Sequence, residues 1–522
     1  MLVFQQLPAQ PGLVMAAHQL NGAKQMSSIT FAGHLKNLEP ARVWEIFEEI
    51  TKIYRESGPN EHSRENNKEI SNYLVNKLKP LGFDIQQAQE GAGKYNIIAT
   101  RNVDKNKRNA IILQAHMDMV CISDDKNPKK PIKLKIDGDY LRANNRTLGA
   151  DNGIGIAMAI AVAEDPKFSK LPLEIIFTVD EETGMYGAAA MNAGDLYGNK
   201  LINIDSEKYG EITIGCAGMD IFKEIRKVPV EPINSTDYKK ITLSIKDAQG
   251  GHSGEDINKD RLNPIKAALA ELNNYKDIRI SSITGGEKPN SIPREVTIEL
   301  LAPQKTANII ADNLINSLNS LKDNYKKTET NLKVNVQTES KNTPAETVVL
   351  KEDFQNKLLN ILGKQLHSGM KSVYENGDTK TSQNLGILNL KGKDIELAVS
   401  MRSSEEDEKK ELFNQTTAQL SELFDEPIKP FNSSPIWQPK HDSALTKLAA
   451  EAYKEIGIEK PRVYTCHGGL ENAQFAAKKP ELDHISVGPT IHDPHTVNER
   501  INIPSVENFY KFLQLLLQKM SK

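Results

Sequence analysis

Six side chains able to hold divalent metals stand just after strand-like apolar runs. They are His116 and Asp118 in IILQAHMDMV, Asp151 in TLGADNGIG, Glu181 with Glu182 in IIFTVDEETGM, and Asp205 in LINIDSE. A further histidine, His495, follows in ISVGPTIHDPHTVNE. Imidazole and carboxylate are ordinary ligands of zinc and similar ions. Gathered at strand ends, this set suits two adjacent divalent metals with one carboxylate left over as a base. That is the equipment of a metal-assisted hydrolase.

Each motif also has a plainer reading. A lone His-x-Asp is usually a surface loop. Here the strand runs straight into His116, and the alternation across Met117 turns His116 and Asp118 the same way. Asp118 can then fix the His116 ring by taking a hydrogen bond from its second nitrogen. Asp151 precedes Asn-Gly at a helix start, where it could serve as an N-cap; the same carboxylate could also bridge two ions. Glu181 and Glu182 are adjacent acids after a buried strand, where they repel one another and resist burial. Different partners would separate them, one on a metal and one free as a base. His492 shares the loop of His495, and spacing alone leaves either as a ligand.

Other chemistries fit worse. No HExxH helix is present. GGHSGE lacks the glycine that a GxSxG nucleophile turn requires after Ser253. GADNGIG does not match GxGxxG, and phosphate-loop motifs are absent.

The chain has 522 residues, 38% of them hydrophobic, and a net charge of -3. That length allows roughly three domain-sized units. No basic excess points to nucleic acid. Cys121, Cys216 and Cys466 are dispersed and odd in number, which argues against a disulfide framework and for a reducing compartment such as the cytoplasm. No apolar run approaches the ~20 residues of a membrane helix. Residues 1–26 lack the charged start and compact apolar core of a signal peptide and read as a poorly ordered extension.

Helices are expected from about 39 to 80, with Leu81-Gly82 closing the second. Strands and helices then alternate through NIIAT, NAIILQA, DNGIGIAMAIAVAED, LEIIFTV, GAAAMNAG and LINID. This alternation predicts an α/β catalytic domain whose mostly parallel or mixed sheet is sandwiched by helices. Such sheets place their sites at the carboxyl ends of strands. The texture changes near 222, where a β-α-β-α-β series begins and a second helix and strand group follows, ending near Phe424. EPIKPFNSSPIWQPK reads as a linker. The expected organisation is a catalytic domain in two parts, 27–221 and 431–522, with an α+β domain inserted over 222–430.

These motifs together resemble the cytosolic non-specific dipeptidases, also called aminoacyl-histidine dipeptidases, of the M20 metallopeptidases. The resemblance runs from about 38 to 520. It rests on HMDMV, LGADNGIGIAMA, FTVDEETGM, INIDSE with GEITIGCAG, GGHSGEDI, PNSIPRE, TSQNLGIL, MRSS, HGGLE and GPTI followed by a histidine. Generic M20 carboxypeptidases share the ligands but not LGADNGIG with GEITIGCAG and the long insert.

The resemblance implies roles. His116 and Asp205 would hold one zinc, Glu182 and His495 the other, and Asp151 would bridge; manganese or cobalt could replace zinc. Glu181 would be the general base and Asp118 the orienter of His116. His252, Asn290, Arg402 and Glu471 would bind substrate: His252 at its carbonyl, Asn290 and Arg402 at its terminal carboxylate, and Glu471 at its free amine. The insert would be a lid and dimerisation domain. The implied activity is hydrolysis of unblocked dipeptides, including Xaa-His, by a homodimer that binds neither nucleic acid nor membrane. Another M20 activity, an aminoacylase or a carboxypeptidase, is the alternative. One local departure stands out: the family usually has Ser-Pro-Asp after the last histidine, where Thr496-Val497-Asn498 stand here.

Overall fold

The computed structural model describes residues 35–58, 64–104, 106–124, 127–339 and 346–521. The extension expected over 1–26 lies outside them.

The strands of LEIIFTV and NAIILQA become Leu173–Thr178 and Ala110–His116, buried at every position. Apolar side chains on both faces require cover on both faces, and an eight-stranded sheet provides the frame. Its order, by first residue, is Asp84, Ile97, Leu173, Ala110, Gly198, Asp483, Glu211, Arg462. Parallel pairing joins Leu173–Thr178, Ala110–His116, Gly198–Asn203 and Asp483–Ser486. Antiparallel pairing joins the strands on the Asp84 side. The sheet is therefore mixed, with its parallel centre where the metal-type residues are. His116 pairs with Thr178, so two of the site-bearing strands end side by side.

Helix Ala150–Glu164 crosses this sheet, and nearly all its residues are buried. A helix apolar all round belongs inside a core. It packs on Ala41–Ile50 and on the His116 strand. The glycines of DNGIG permit the fit: a Cβ at Gly155 would lie 2.6 Å from the Ile204 carbonyl. The helix start bearing Asp151 is thereby seated against the turn bearing Asp205. Gly82 ends the helical segment after Lys68–Leu78 in the left-handed region, at φ 81°. This is the conformation that glycine adopts at low cost.

A second, nine-stranded sheet takes its strands from residues 218–434. Its own core, built from residues 222–428, is separate from the first, which draws on residues 35–214 and 445–517. Strand Gly218–Lys227 straddles position 222. The Pro/Asn/Ser-rich stretch read as a linker contains a short strand, Asn432–Ser434, on that sheet's edge. Its unpaired backbone groups next to an open edge make such pairing favourable. A small four-stranded sheet, Leu134–Asp137, Tyr140–Ala143, Ile491–His492 and Arg500–Asn502, is absent from the sequence reading. Its strands are too short to show a period. No helix among the described residues is long and apolar enough to cross a membrane.

Candidate metal centre and the wall facing it

The parallel strand ends bring His116, Asp118, Asp151, Glu181, Glu182 and Asp205 together, and the loop after Ile491–His492 adds His495. Asp151 lies in the middle. Its Oδ1 is 2.9 Å from His116 Nε2, and its Oδ2 is 3.0 Å from His495 Nε2. His116 Nε2 is 3.4 Å from Asp205 Oδ1, and His495 Nε2 is 2.8 Å from Glu182 Oε2. Asp151 thus turns one oxygen to each histidine, and each histidine has a second carboxylate. His116, Asp151 and Asp205 offer donor atoms within 4.8 Å of one another, as do Asp151, Glu182 and His495, and also His116, Glu181 and Glu182. His492 instead packs against Tyr140, with ring centroids 5.7 Å apart.

The charge balance explains what such a cluster needs. Burial pushes Glu181 well above the usual carboxylate range, with Glu182 and Asp205 adding repulsion against the opposing pull of His116. Burial raises Glu182 and Asp205 as well. Asp151 is the exception: burial disfavours its charge, but hydrogen bonds with His116 and His495 hold its pKa low. The histidines respond in kind. His116 is raised well above 6.5, and His495 is pushed up to about 12; in both, burial opposes the neighbouring carboxylates and loses. The imidazoles serve as the cations that this surplus of carboxylates lacks. Glu182 Oε1 is buried without a hydrogen-bond partner.

These residues fit divalent metal ions. A tetrahedral shell with ~2.0 Å bonds has ligand-to-ligand edges of ~3.3 Å, close to the separations above. Bound cations would return the histidines to the neutral form in which they ligate.

Beside Asp118, which the sequence marks, several positioning residues carry no sequence signal: Arg55, Glu499 and Asn152. Asp118 accepts from the Glu181 and Glu182 backbone N–H groups, each at 3.2 Å. Its carboxylate lies 3.6 Å from His116 Nδ1, while its backbone carbonyl lies 3.1 Å from that nitrogen. The Asp118 carboxylate therefore holds the Glu181-Glu182 turn, and its backbone carbonyl, rather than the carboxylate expected from the sequence, is the nearer acceptor for the His116 ring. Buried Arg55 donates to the carbonyls of Met117, Asp118 and Gly149, tying two ligand-bearing loops together. Glu499 accepts from the N–H groups of Leu148, Gly149 and Ala150 at 2.7–3.0 Å, bracing the approach to Asp151. Asn152 donates to Asp205. These partners lie as far as 351 positions away in the chain, so local pattern could not pair them.

The other wall is cationic and neutral. Arg402 is 4% exposed, and its Nε has no partner. No carboxylate forms an ion pair with it among the described residues, so the surface salt bridge that is the usual role of such an arginine is not what stands here. Its own pKa is lowered by burial. His252 is held neutral to about pH 3 by burial, with the Arg402 and His495 charges reinforcing it. The backbone carbonyl of Asn290 accepts from Ser253 N at 2.9 Å, keeping the Asn290 loop against the His252 turn. Glu471 is fully buried against the strands that end at His116 and Thr178. Its Oε2 takes hydrogen bonds from Gln114 and Thr178, while Oε1 has no partner. Burial pushes its pKa up to about 8.

Comparison with known proteins agrees with this geometry. The cytosol non-specific dipeptidase of Escherichia coli (strain K12) is 30% identical over 494 residues, 93% of this chain and 99% of that protein. The structure of the aminoacylhistidine dipeptidase from Vibrio alginolyticus is similar with a TM-score of 0.75 and 28% identity, covering 93% of this chain and 98% of that one. The di-peptidase Dug1p from Saccharomyces cerevisiae, at 14% identity and a TM-score of 0.53 over 94% of this chain and 96% of its own, shares the fold. The model of peptidase family M20/M25/M40 matches residues 112–519. With strand-end carboxylates and histidines in place across that match, this chain is a member of peptidase family M20/M25/M40, a family of metal-dependent peptide hydrolases.

Proposed function

We propose that this M20 peptidase is a metallodipeptidase that hydrolyses unblocked dipeptides, Xaa-His among them. The observation that carries the reading is the two-sided Asp151 carboxylate, with a His–carboxylate pair at each oxygen. His116 and Asp205 would hold one divalent ion, Glu182 and His495 the other, and Asp151 both. Zinc suits this nitrogen and oxygen set, and manganese or cobalt are the nearest substitutes. When bound, such a pair supplies Lewis acidity and a water acidic enough to lose its proton near neutral pH.

The chain's own residues do the rest. Glu181 takes the proton at its carboxylate and passes it to the leaving amine. Burial, which raises its proton affinity, supports that role. Asp118 orients His116. His252, neutral and able to donate, faces the developing oxyanion. Arg402 and Asn290 receive the terminal carboxylate, and an unpaired buried guanidinium supports that assignment. Glu471, with an unpartnered oxygen, receives the free amine. The 222–430 region would act as a lid between catalytic segments 27–221 and 431–522. It would also carry a homodimer contact, supported by the exposed apolar side chain Ile225, at 72%. A cytoplasmic location is proposed from the name of the E. coli relative and the dispersed cysteines.

The test is metal analysis together with a substrate panel. Two divalent ions per chain and cleavage of free dipeptides, with N-acyl amino acids left intact, are expected. Cleavage of N-acyl amino acids in preference to dipeptides would replace this reading with the aminoacylase one.

A further inference from the structure

One buried contact between the two sheet systems has no part in the roles above. Strands Thr379–Lys391 and Asp394–Ser403 pair so that Ser382 stands directly opposite Arg402. Residues in such register share a face of the sheet, with their Cβ atoms ~4.5–5.5 Å apart. Ser382 is 2% exposed. Its hydroxyl is 2.7 Å from Nε2 of His467, which comes from the other sheet, just after strand Arg462–Cys466. Burial and then the Arg402 charge hold the His467 ring neutral, to about pH 3.

Other ties cross the same seam. Arg462 reaches Asp378 at 2.7 Å, and Lys208 reaches Glu255 at 3.7 Å. Arg462, Lys208 and Glu255 are half exposed, and exposed ion pairs hold geometry weakly. The His467–Ser382 bond is buried, and breaking it leaves two desolvated polar groups unpaired, which is costly. It is therefore a side-chain contact able to help fix where Arg402 stands relative to the metal-type cluster, beside the backbone pairing of its strand with Gly218–Lys227. Gly468 follows His467 directly, and the fit there is close: a Cβ on Gly254 would lie 3.0 Å from the Gly468 Cα.

We infer that His467 is a positioning residue: through Ser382 it sets the placement of Arg402, and so the enzyme's preference for substrates ending in a free carboxylate. This rests on the proposed role of Arg402 as carboxylate anchor. His467 makes no claim on the reacting atoms. It acts one residue removed, as the groups that orient a binding side chain do. A misplaced guanidinium weakens binding of the carboxylate while sparing substrates that lack one.

The experiment compares a free dipeptide with its C-terminal amide in His467→Ala, His467→Gln, Ser382→Ala, the double variant His467→Ala/Ser382→Ala, and Arg402→Lys. His467→Ala is expected to raise KM for the free dipeptide roughly tenfold, with kcat and bound metal little changed and the amide little affected. Gln keeps a donor and acceptor near the Nε2 position and should restore most of the loss. Ser382→Ala should match His467→Ala, and the double variant should be no worse than either, because one bond is removed in each case. Equal losses for acid and amide would overturn the inference, since a merely structural bond has no reason to distinguish them. If Arg402→Lys changes the acid-to-amide ratio and neither His467→Ala nor Ser382→Ala does, the positioning role fails while the anchor stands. If His467→Ala changes the ratio and Arg402→Lys does not, the anchor reading fails and the positioning role falls with it. Should His467→Ala fail to fold, Ser382→Ala carries the same test.

Discussion

The two walls of the cleft are opposites in charge and incomplete in the same sense. On the strand-end side, buried carboxylates outnumber the cations beside them, and two histidines are drawn into the cationic form to compensate. On the facing side, a buried guanidinium has no carboxylate partner among the described residues, and two histidines are kept neutral beside it. The same residue type thus ends in opposite states: on one side the carboxylates overcome burial, and on the other burial, reinforced by the Arg402 charge, prevails. An isolated buried charge is expensive. On the proposed function, cations would satisfy the one wall and an anion the other. A dipeptide with a free carboxylate, bound over divalent metals, would satisfy both.

The acidic wall should break first and hardest. Asp151→Ala removes the carboxylate that faces both histidines, so metal content should fall from the proposed two ions per chain to near zero, and dipeptide hydrolysis to background. Elemental analysis after gel filtration reads this directly. Two tightly held ions in the variant would mean that the two halves of the cluster bind independently.

Glu181→Gln is the next largest step, and it separates holding metal from moving a proton. The amide is nearly isosteric but accepts no proton, so metal content should stay near the parent value while kcat falls ~100- to 10,000-fold. A near-normal kcat would take the base role from Glu181 and point to another acid of the cluster. On the opposite wall, Arg402→Lys keeps the charge and loses the planar fork. Free dipeptides should lose roughly 10- to 100-fold in kcat/KM, while dipeptide amides, already poor substrates, lose far less. Metal content should not move, which distinguishes the two walls.

The sequence made these walls unequally legible. The fold class was readable because continuous apolar strand runs alternate with helical stretches, and the family because long motifs such as LGADNGIGIAMA and FTVDEETGM resemble its own. A carboxylate placed straight after a buried strand, as in His-Met-Asp or Asp-Glu-Glu, has no local partner and so announces itself. Arg55, Glu499 and His467 did not. Each is defined by what it touches, and those contacts are made between segments 62 to 351 positions apart. The chain's local pattern records which face is apolar, not which distant loop will be braced. For the same reason a short strand inside the proline-rich stretch went unseen: it exists because an edge of Gly218–Lys227 was open to it.

The smallest expected effect comes from a carboxyl that belongs to neither wall, and it tests whether burial alone explains a raised pKa in this sheet. Glu174 sits on strand Leu173–Thr178, at the end opposite the cluster, with no exposed surface. Its carboxylate accepts from the N–H groups of Tyr197 and Gly198 at 3.0 and 2.7 Å. Burial nevertheless pushes its pKa from 4.5 up to about 7, outweighing those hydrogen bonds. The folded state then holds a proton that the unfolded state releases. The stabilisation associated with that proton is complete below about pH 4.5 and is lost as pH rises through about 7. Within that window Glu174 should make unfolding free energy fall by at most about 1.4 kcal/mol per pH unit. Glu174→Gln keeps an acceptor for the two N–H groups and cannot ionise. Denaturant unfolding of the metal-loaded protein between pH 5 and 8 should therefore show a shallower fall for the variant, with dipeptide turnover and metal content unchanged. Parallel pH profiles for the two proteins would mean that Glu174 is charged in the fold, held there by its backbone donors and the nearby Lys479, and that burial does not dominate carboxyl ionisation at this end of the sheet.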